Sequence, residues 1–134
     1  MFNFNIFFPG MREYCQFESF NVTCPENSVI LLKTASYGRM RVGHCVQKQY
    51  EGPNQPCKAD VLHYLDPRCS GRRSCDVPIP ELEKIASPCP TDLKSYLEAS
   101  YECVQGMSCA AFASWIRTSK PSNSCLSKLH SENL

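Results

Sequence analysis

The sequence predicts a mainly β, antiparallel, disulfide-tied domain with long loops and one short helix. Three observations carry that prediction. Ten cysteines fall within 134 residues. Three segments alternate apolar and polar residues with the two-residue period of a strand. One further stretch has helical spacing, and Gly- and Pro-rich segments separate the rest.

The cysteines define the compartment. Cytosolic thiols stay reduced, so a chain this rich in cysteine is expected either to bind metal or to form disulfides in an oxidising space. Zinc spacings are missing: there is no C-x2-C pair, no histidine pair at i, i+4, and the only histidines are His44, His63 and His130. A disulfide framework in an extracellular protein is therefore expected, with no metal and no cofactor. Asn21-Val22-Thr23 is a glycosylation acceptor, which fits that setting.

Charge and motifs exclude several functions. The net charge of +1 implies neither nucleic acid nor an anionic membrane as partner. No run approaches the about 18 apolar residues of a membrane span. There is no nucleophile elbow, metal-ligand motif or phosphate-binding glycine loop, so no enzyme is expected. Glu81 and Glu83 lie in a proline-rich stretch and read as solvated.

Taken in order, residues 1–11 read as an extra leader outside the fold. "MFNFNIFFPGM" lacks a basic start, and its apolar run is broken by Asn3 and Asn5, so it makes a poor signal peptide. The chain is accordingly read as a piece of a larger extracellular protein, or as an incomplete gene model. Residues 12–104 hold eight cysteines and nearly all the periodic segments. In "ESFNVTC" Phe20, Val22 and Cys24 share the apolar phase. "VILLKTASY" is apolar and then alternating. "KADVLHYL" reads as a short helix with Val61, Leu62 and Leu65 as its stripe and Asp60 at its start, while Pro67 disfavours helix at Asp66. The segment 46–57, with Gly52, Pro53 and Pro56, is a loop. "PIPELEKIASPCP" allows at most one helical turn at 81–85. In "YLEASYECV" Leu97, Ala99, Tyr101 and Cys103 fall on one face, and Glu98, Ser100 and Glu102 on the other. Cys24 and Cys103 therefore both point inward and are plausible partners across a sandwich core. Residues 105–134 are Ser-rich and read as an irregular or disordered tail, whose Cys109 and Cys125 pair with each other or stay free.

Tyr37-Gly38-Arg39 ends the second strand and admits two readings. In one it borders a ligand: the ring offers an apolar face to a sugar, the glycine allows close approach, and the guanidinium meets a hydroxyl or carboxylate. In the other it is a turn: Tyr37 packs on the core, Gly38 takes a positive φ, and Arg39 bonds backbone carbonyls. Arg72 and Arg73, in "CSGRRSC", read as a solvated turn or a small basic patch for a protein partner.

Over residues 15–104 the motifs "YCQFESFNVTCP", "VILLKTASYGR", "RCSGRRSC", "SPCP" and "YLEASYECV", in this order, resemble the galactose/rhamnose-binding lectin domain of the sea urchin egg lectin type. That domain also occurs in latrophilin-type adhesion receptor ectodomains. The resemblance implies a compact β-sandwich of about five strands. It implies the pairs Cys15–Cys45, Cys24–Cys103, Cys57–Cys89 and Cys69–Cys75. Cys24–Cys103 would close the longest loop and constrain the unfolded chain by roughly 4 kcal/mol.

The resemblance also implies a calcium-independent sugar site beside Tyr37, Gly38 and Arg39. Gln16 stands where binding members have a glutamate, and Ser87 where they have the aspartate of Asp-Pro-Cys. The run after Cys89 is one residue longer than in the family and lacks its glycine. Lys94 takes the place of the family lysine, and Asp92 is a candidate for the lost carboxylate. The expected partners are glycans carrying galactose or rhamnose. The alternative is a cell-surface protein, bound by an adhesion-receptor module with a degraded sugar site.

Overall fold

The computed structural model describes residues 6–7, 10–47 and 57–105; for Ile6 and Phe7 only the backbone is described. Among these lie seven strands and two helices in the order β1 (Ile6–Phe7), β2 (Met11–Tyr14), β3 (Ser19–Thr23), β4 (Ser28–Arg39), β5 (Cys57–Asp60), α1 (Leu62–Cys69), β6 (Ser74–Pro78), α2 (Pro80–Ile85) and β7 (Tyr96–Gln105). The mainly β, antiparallel, disulfide-tied class is as expected. The additional strands, β1, β2, β5 and β6, are ladders of two to five residues. Segments so short carry too few alternations to be read from periodicity.

β7 is the axis of the larger sheet. β4 pairs along one edge, and β1 and β2 follow one another along the other. β5 extends the sheet beyond β4, from Ser36↔Asp60 to Arg39↔Cys57. Residues 1–11 read as a leader outside the fold, yet Ile6 and Phe7 lie opposite Val104 and Cys103, and Met11 lies opposite Ser100. The smaller sheet is the pair β3–β6, in register from Ser19↔Pro78 to Thr23↔Ser74.

One core joins the two sheets and the helices. Phe20, Val22 and Val77 come from the small sheet, Ile30, Leu32, Leu97 and Ala99 from the large one, Leu65 from α1 and Leu82 from α2. Phe20 sits edge-on between Tyr14 and Tyr101, with ring centroids 5.0 and 6.2 Å away.

β4 explains its own irregular pattern. Ile30 and Leu32 face this core, whereas Val29 and Leu31 pack on the opposite face with Val104. The register then slips between Leu32 and Thr34, so that Ala35 and Tyr37 carry the core face onward. A single inserted residue reverses the phase of everything after it. The outer edge near the slip is stitched by the 70–72 turn: Ile30 N donates to Arg72 O (2.8 Å), Gly71 N to Ile30 O (2.8 Å) and Leu32 N to Ser70 Oγ (3.0 Å).

Three local features correct or extend what the sequence implies. First, α1 runs through Pro67 to Cys69. Proline removes only the bond to His63, which is exposed, and Ser70 N→Asp66 O (2.9 Å) closes the last turn. Asp60 precedes the N-cap residue Val61, and its Oδ1 accepts from Leu62 N, the first helical N–H, at 2.8 Å. Second, most of the polar face of β7 is buried: Glu98 is 7% exposed and Ser100 4%, while Glu102 is half-buried. Arg41 neutralises Glu98 at 2.8 Å, and Thr34 meets Ser100 at 2.6 Å. Burial of that face requires these partners. Third, Glu81 and Glu83 are engaged. Arg68 lies 2.9 Å from Glu81, and this bond holds the Glu81 carboxyl below the usual carboxylate range.

All four disulfides of the family pattern form: Cys15–Cys45, Cys24–Cys103, Cys57–Cys89 and Cys69–Cys75. Cys109, Cys125 and most of the 46–57 loop lie outside the described residues. No helix among the described residues is long and apolar enough to cross a membrane.

A candidate ligand groove at the end of β4

β4 delivers Tyr37, Gly38 and Arg39 to one end of the large sheet, and all three are structurally committed there. Tyr37 is 2% exposed and packs in the core. Its hydroxyl donates to Glu83 Oε2 at 2.6 Å. Burial first, then this hydrogen bond and the Glu83 charge, push the phenol well above its ordinary value.

Gly38 has φ +143° and lies between Lys58 and Tyr96 in the ladders. A Cβ there would run into the Cys57 carbonyl and come within 2.8 Å of Lys58 Cα. Arg39 donates from Nη1 to Lys94 O at 2.9 Å, so it braces the segment before β7. These features match the turn reading of the motif.

Two covalent ties assemble the rim. Cys57–Cys89 joins β5, where it pairs with Arg39, to the segment that carries Ser87 and Lys94. Cys15–Cys45 joins the end of β2, beside Gln16, to the 40–47 segment. That segment is clamped again from below. The Tyr96 hydroxyl accepts from Arg41 N (2.9 Å) and donates to Arg41 O (3.1 Å), and His44 N donates to Glu13 Oε2 (3.0 Å).

Between these segments lies an open groove of about 470 Å³, lined by Arg39, His44, Cys45, Val46, Gln47 and Lys94. Two cations and one imidazole thus border it, with exposed Lys94 on its wall. The structure brings Arg39 and Lys94 together here. Gln16 is not among the lining residues, although its neighbour Cys15 is bonded to Cys45 on the rim, and Asp92 is exposed on a turn.

Tyr37 and Ser87 meet through Glu83, which the sequence alone reads as solvated. Ser87 Oγ lies 2.9 Å from Glu83 O and 3.0 Å from Glu83 Oε1. Glu83 therefore holds a buried phenol with one carboxylate oxygen and faces an exposed serine with the other. The signal was present in the four-residue spacing of Glu83 and Ser87, which continues a helical face past the end of α2.

Tyr37→Phe is expected to destabilise the domain by about 1.5–3 kcal/mol, the range for a hydrogen bond to a charged group. A thermal unfolding comparison checks this. Ser87→Ala, on the exposed side of the same carboxylate, should change the midpoint much less.

Cys15, Glu18 and His44 place one donor atom each within 4.8 Å of one another. The Cys15 sulfur is bonded to Cys45, so it offers no thiolate, and the cluster reduces to a carboxylate and an imidazole.

Residues 22–103 match the family model described as the D-galactoside/L-rhamnose binding SUEL lectin domain. Adhesion G protein-coupled receptor L1 of Homo sapiens is 31% identical over 91 residues, which is 67% of this chain and 6% of the receptor. Latrophilin-like protein 1 of Caenorhabditis elegans is 30% identical over 92 residues, 67% of this chain and 9% of that protein. Latrophilin Cirl of Drosophila persimilis is 31% identical over 91 residues, 67% of this chain and 5% of that protein. The chain thus spans less than a tenth of the length of these curated relatives.

Proposed function

We propose, from the premise that this chain belongs to the D-galactoside/L-rhamnose binding SUEL lectin family, that residues 12–104 are an extracellular, calcium-independent carbohydrate-binding domain. The observation that carries this reading is the groove at the end of β4, where Arg39 and Lys94 stand side by side. Arg39 is held by the Lys94 carbonyl, and the Lys94 ammonium is left to meet hydroxyls of a galactose- or rhamnose-type sugar. Glu83 supplies an acceptor carboxylate beside Ser87, where the family pattern has an aspartate. This assigns to Glu83 the role that sequence reading offered to Asp92. Gln16 contributes an uncharged amide from the Cys15–Cys45 side. Four disulfides and the adhesion-receptor relatives support the extracellular setting.

Titration of the full chain with L-rhamnose and with D-galactose, followed by NMR, tests the reading. Saturable shifts at Arg39, Lys94 and Ser87 are expected. Lys94→Ala should weaken them about tenfold or more, the loss of one hydrogen bond from a charged donor.

A second reading, a protein-interaction module of an adhesion-receptor ectodomain, is favoured by the burial of Tyr37, which keeps its ring out of the groove. A well-dispersed spectrum that stays unchanged at tens of millimolar sugar would sink the lectin reading. This second one would then stand or fall on whether Arg39→Ala and Lys94→Ala abolish capture of a cell-surface protein.

A further inference from the structure

A second groove, of about 370 Å³, lies on the outer face of the β3–β6 pair, and no part of the β4 groove contributes to it. Alternation puts Phe20, Val22, Cys75 and Val77 inward, which leaves Asn21, Thr23, Ser74 and Asp76 exposed on the other face. The register sets Asn21 opposite Asp76 and Thr23 opposite Ser74. Pro67 and Arg68 of α1 and Arg72 of the Cys69–Cys75 loop form the far wall.

Arg68 is already paired with Glu81. Among the described residues, the Arg72 guanidinium and the Asp76 carboxylate make no side-chain hydrogen bond or ion pair. The groove therefore offers donors and acceptors aimed at solvent, suited to a neutral polyhydroxylated occupant. An attachment point for such an occupant lies at its edge. Asn21 begins Asn-Val-Thr, and the extended strand presents Asn21 and Thr23 on the same exposed face.

We infer that Asn21 carries an N-linked glycan whose core sugars lie along this groove against Arg72 and Asp76. The donor is a lipid-pyrophosphate-linked oligosaccharide. The Asn21 side-chain nitrogen forms a bond to the anomeric carbon, the carbon–oxygen bond to the pyrophosphate breaks, and the amide proton is lost to base. The inference rests on the extracellular reading, but not on the sugar-binding one.

The full chain, produced behind a secretory leader in a eukaryotic host, is compared with Asn21→Gln by glycopeptide mass mapping. An oligosaccharide on the Asn21 peptide is expected, and an unmodified Asn21 overturns the inference. Arg72→Ala is then made in both backgrounds. Its unfolding midpoint should fall by several degrees in the glycosylated protein and stay nearly constant in the Asn21→Gln protein. An equal change in both means that the sugar projects into solvent, which overturns the seating. Saturable, Arg72-dependent binding of a sulfated disaccharide to the glycosylated protein also overturns it, because the groove would then be open.

Discussion

Gly38→Ala is expected to destabilise the domain by about 3–5 kcal/mol, among the larger effects of a single substitution. The added methyl would meet the Cys57 carbonyl and lie 2.8 Å from Lys58 Cα, both of them backbone. Backbone cannot swing aside as a flexible side chain can. The residue also sits at φ +143°, which alanine rarely adopts. The strain is relieved by separating β5 from β4, which moves Cys57 away from the position that pairs it with Arg39. Two readouts check this: a midpoint lowered by about 12 °C or more, and faster amide exchange in β5 than in β7. If Gly38→Ala instead kept its midpoint and lost only sugar binding, the glycine would be serving the ligand rather than the sheet.

Replacing Cys24 and Cys103 together with alanine should cost about 4 kcal/mol, and the change acts mainly on the unfolded chain. The bond spans 79 residues of sequence, against 32, 30 and 6 for the others. It links the end of β3 to β7, so among the described residues it is the disulfide that ties the two sheets together. The expected midpoint falls by at least about 15 °C, and much of the protein should be unfolded at 37 °C. Opening Cys69–Cys75 in the same way should cost less, because a separation of 6 leaves little entropy to remove. A smaller loss for Cys24–Cys103 than for Cys69–Cys75 would contradict the ordering.

What could be read from the sequence followed from the range over which each signal acts. Phase alone put Cys24 and Cys103 inward, and they are bonded. The same reasoning put Glu98 and Ser100 on the opposite face but is silent on their burial, since alternation distinguishes two faces without revealing that the second is covered. The partners that make its burial tolerable are Arg41 and Thr34, 57 and 66 positions away. Periodicity in β4 broke at Lys33 because of an inserted residue, not because the strand ended. At the groove, Arg39 and Lys94 were named in advance. Their contact depends on β4, β7 and the Cys57–Cys89 bond together, and no local window contains all three. Glu83 was missed because composition marks a charged residue among prolines as solvated, whereas its hydrogen-bond donor is a buried phenol 46 positions earlier.

The disulfides also divide the molecule by what can change over evolutionary time. Cys15–Cys45 and Cys57–Cys89 anchor the groove segments directly to strands, so those segments are held by covalent ties as well as by their own contacts. Closure entropy grows only with the logarithm of loop length, so a residue inserted between Cys89 and Lys94 would add little cost. The core keeps its constraints while the rim is free to drift in length and chemistry. A scaffold tied in this way tolerates a rim rewritten in length and chemistry while its fold stays the same.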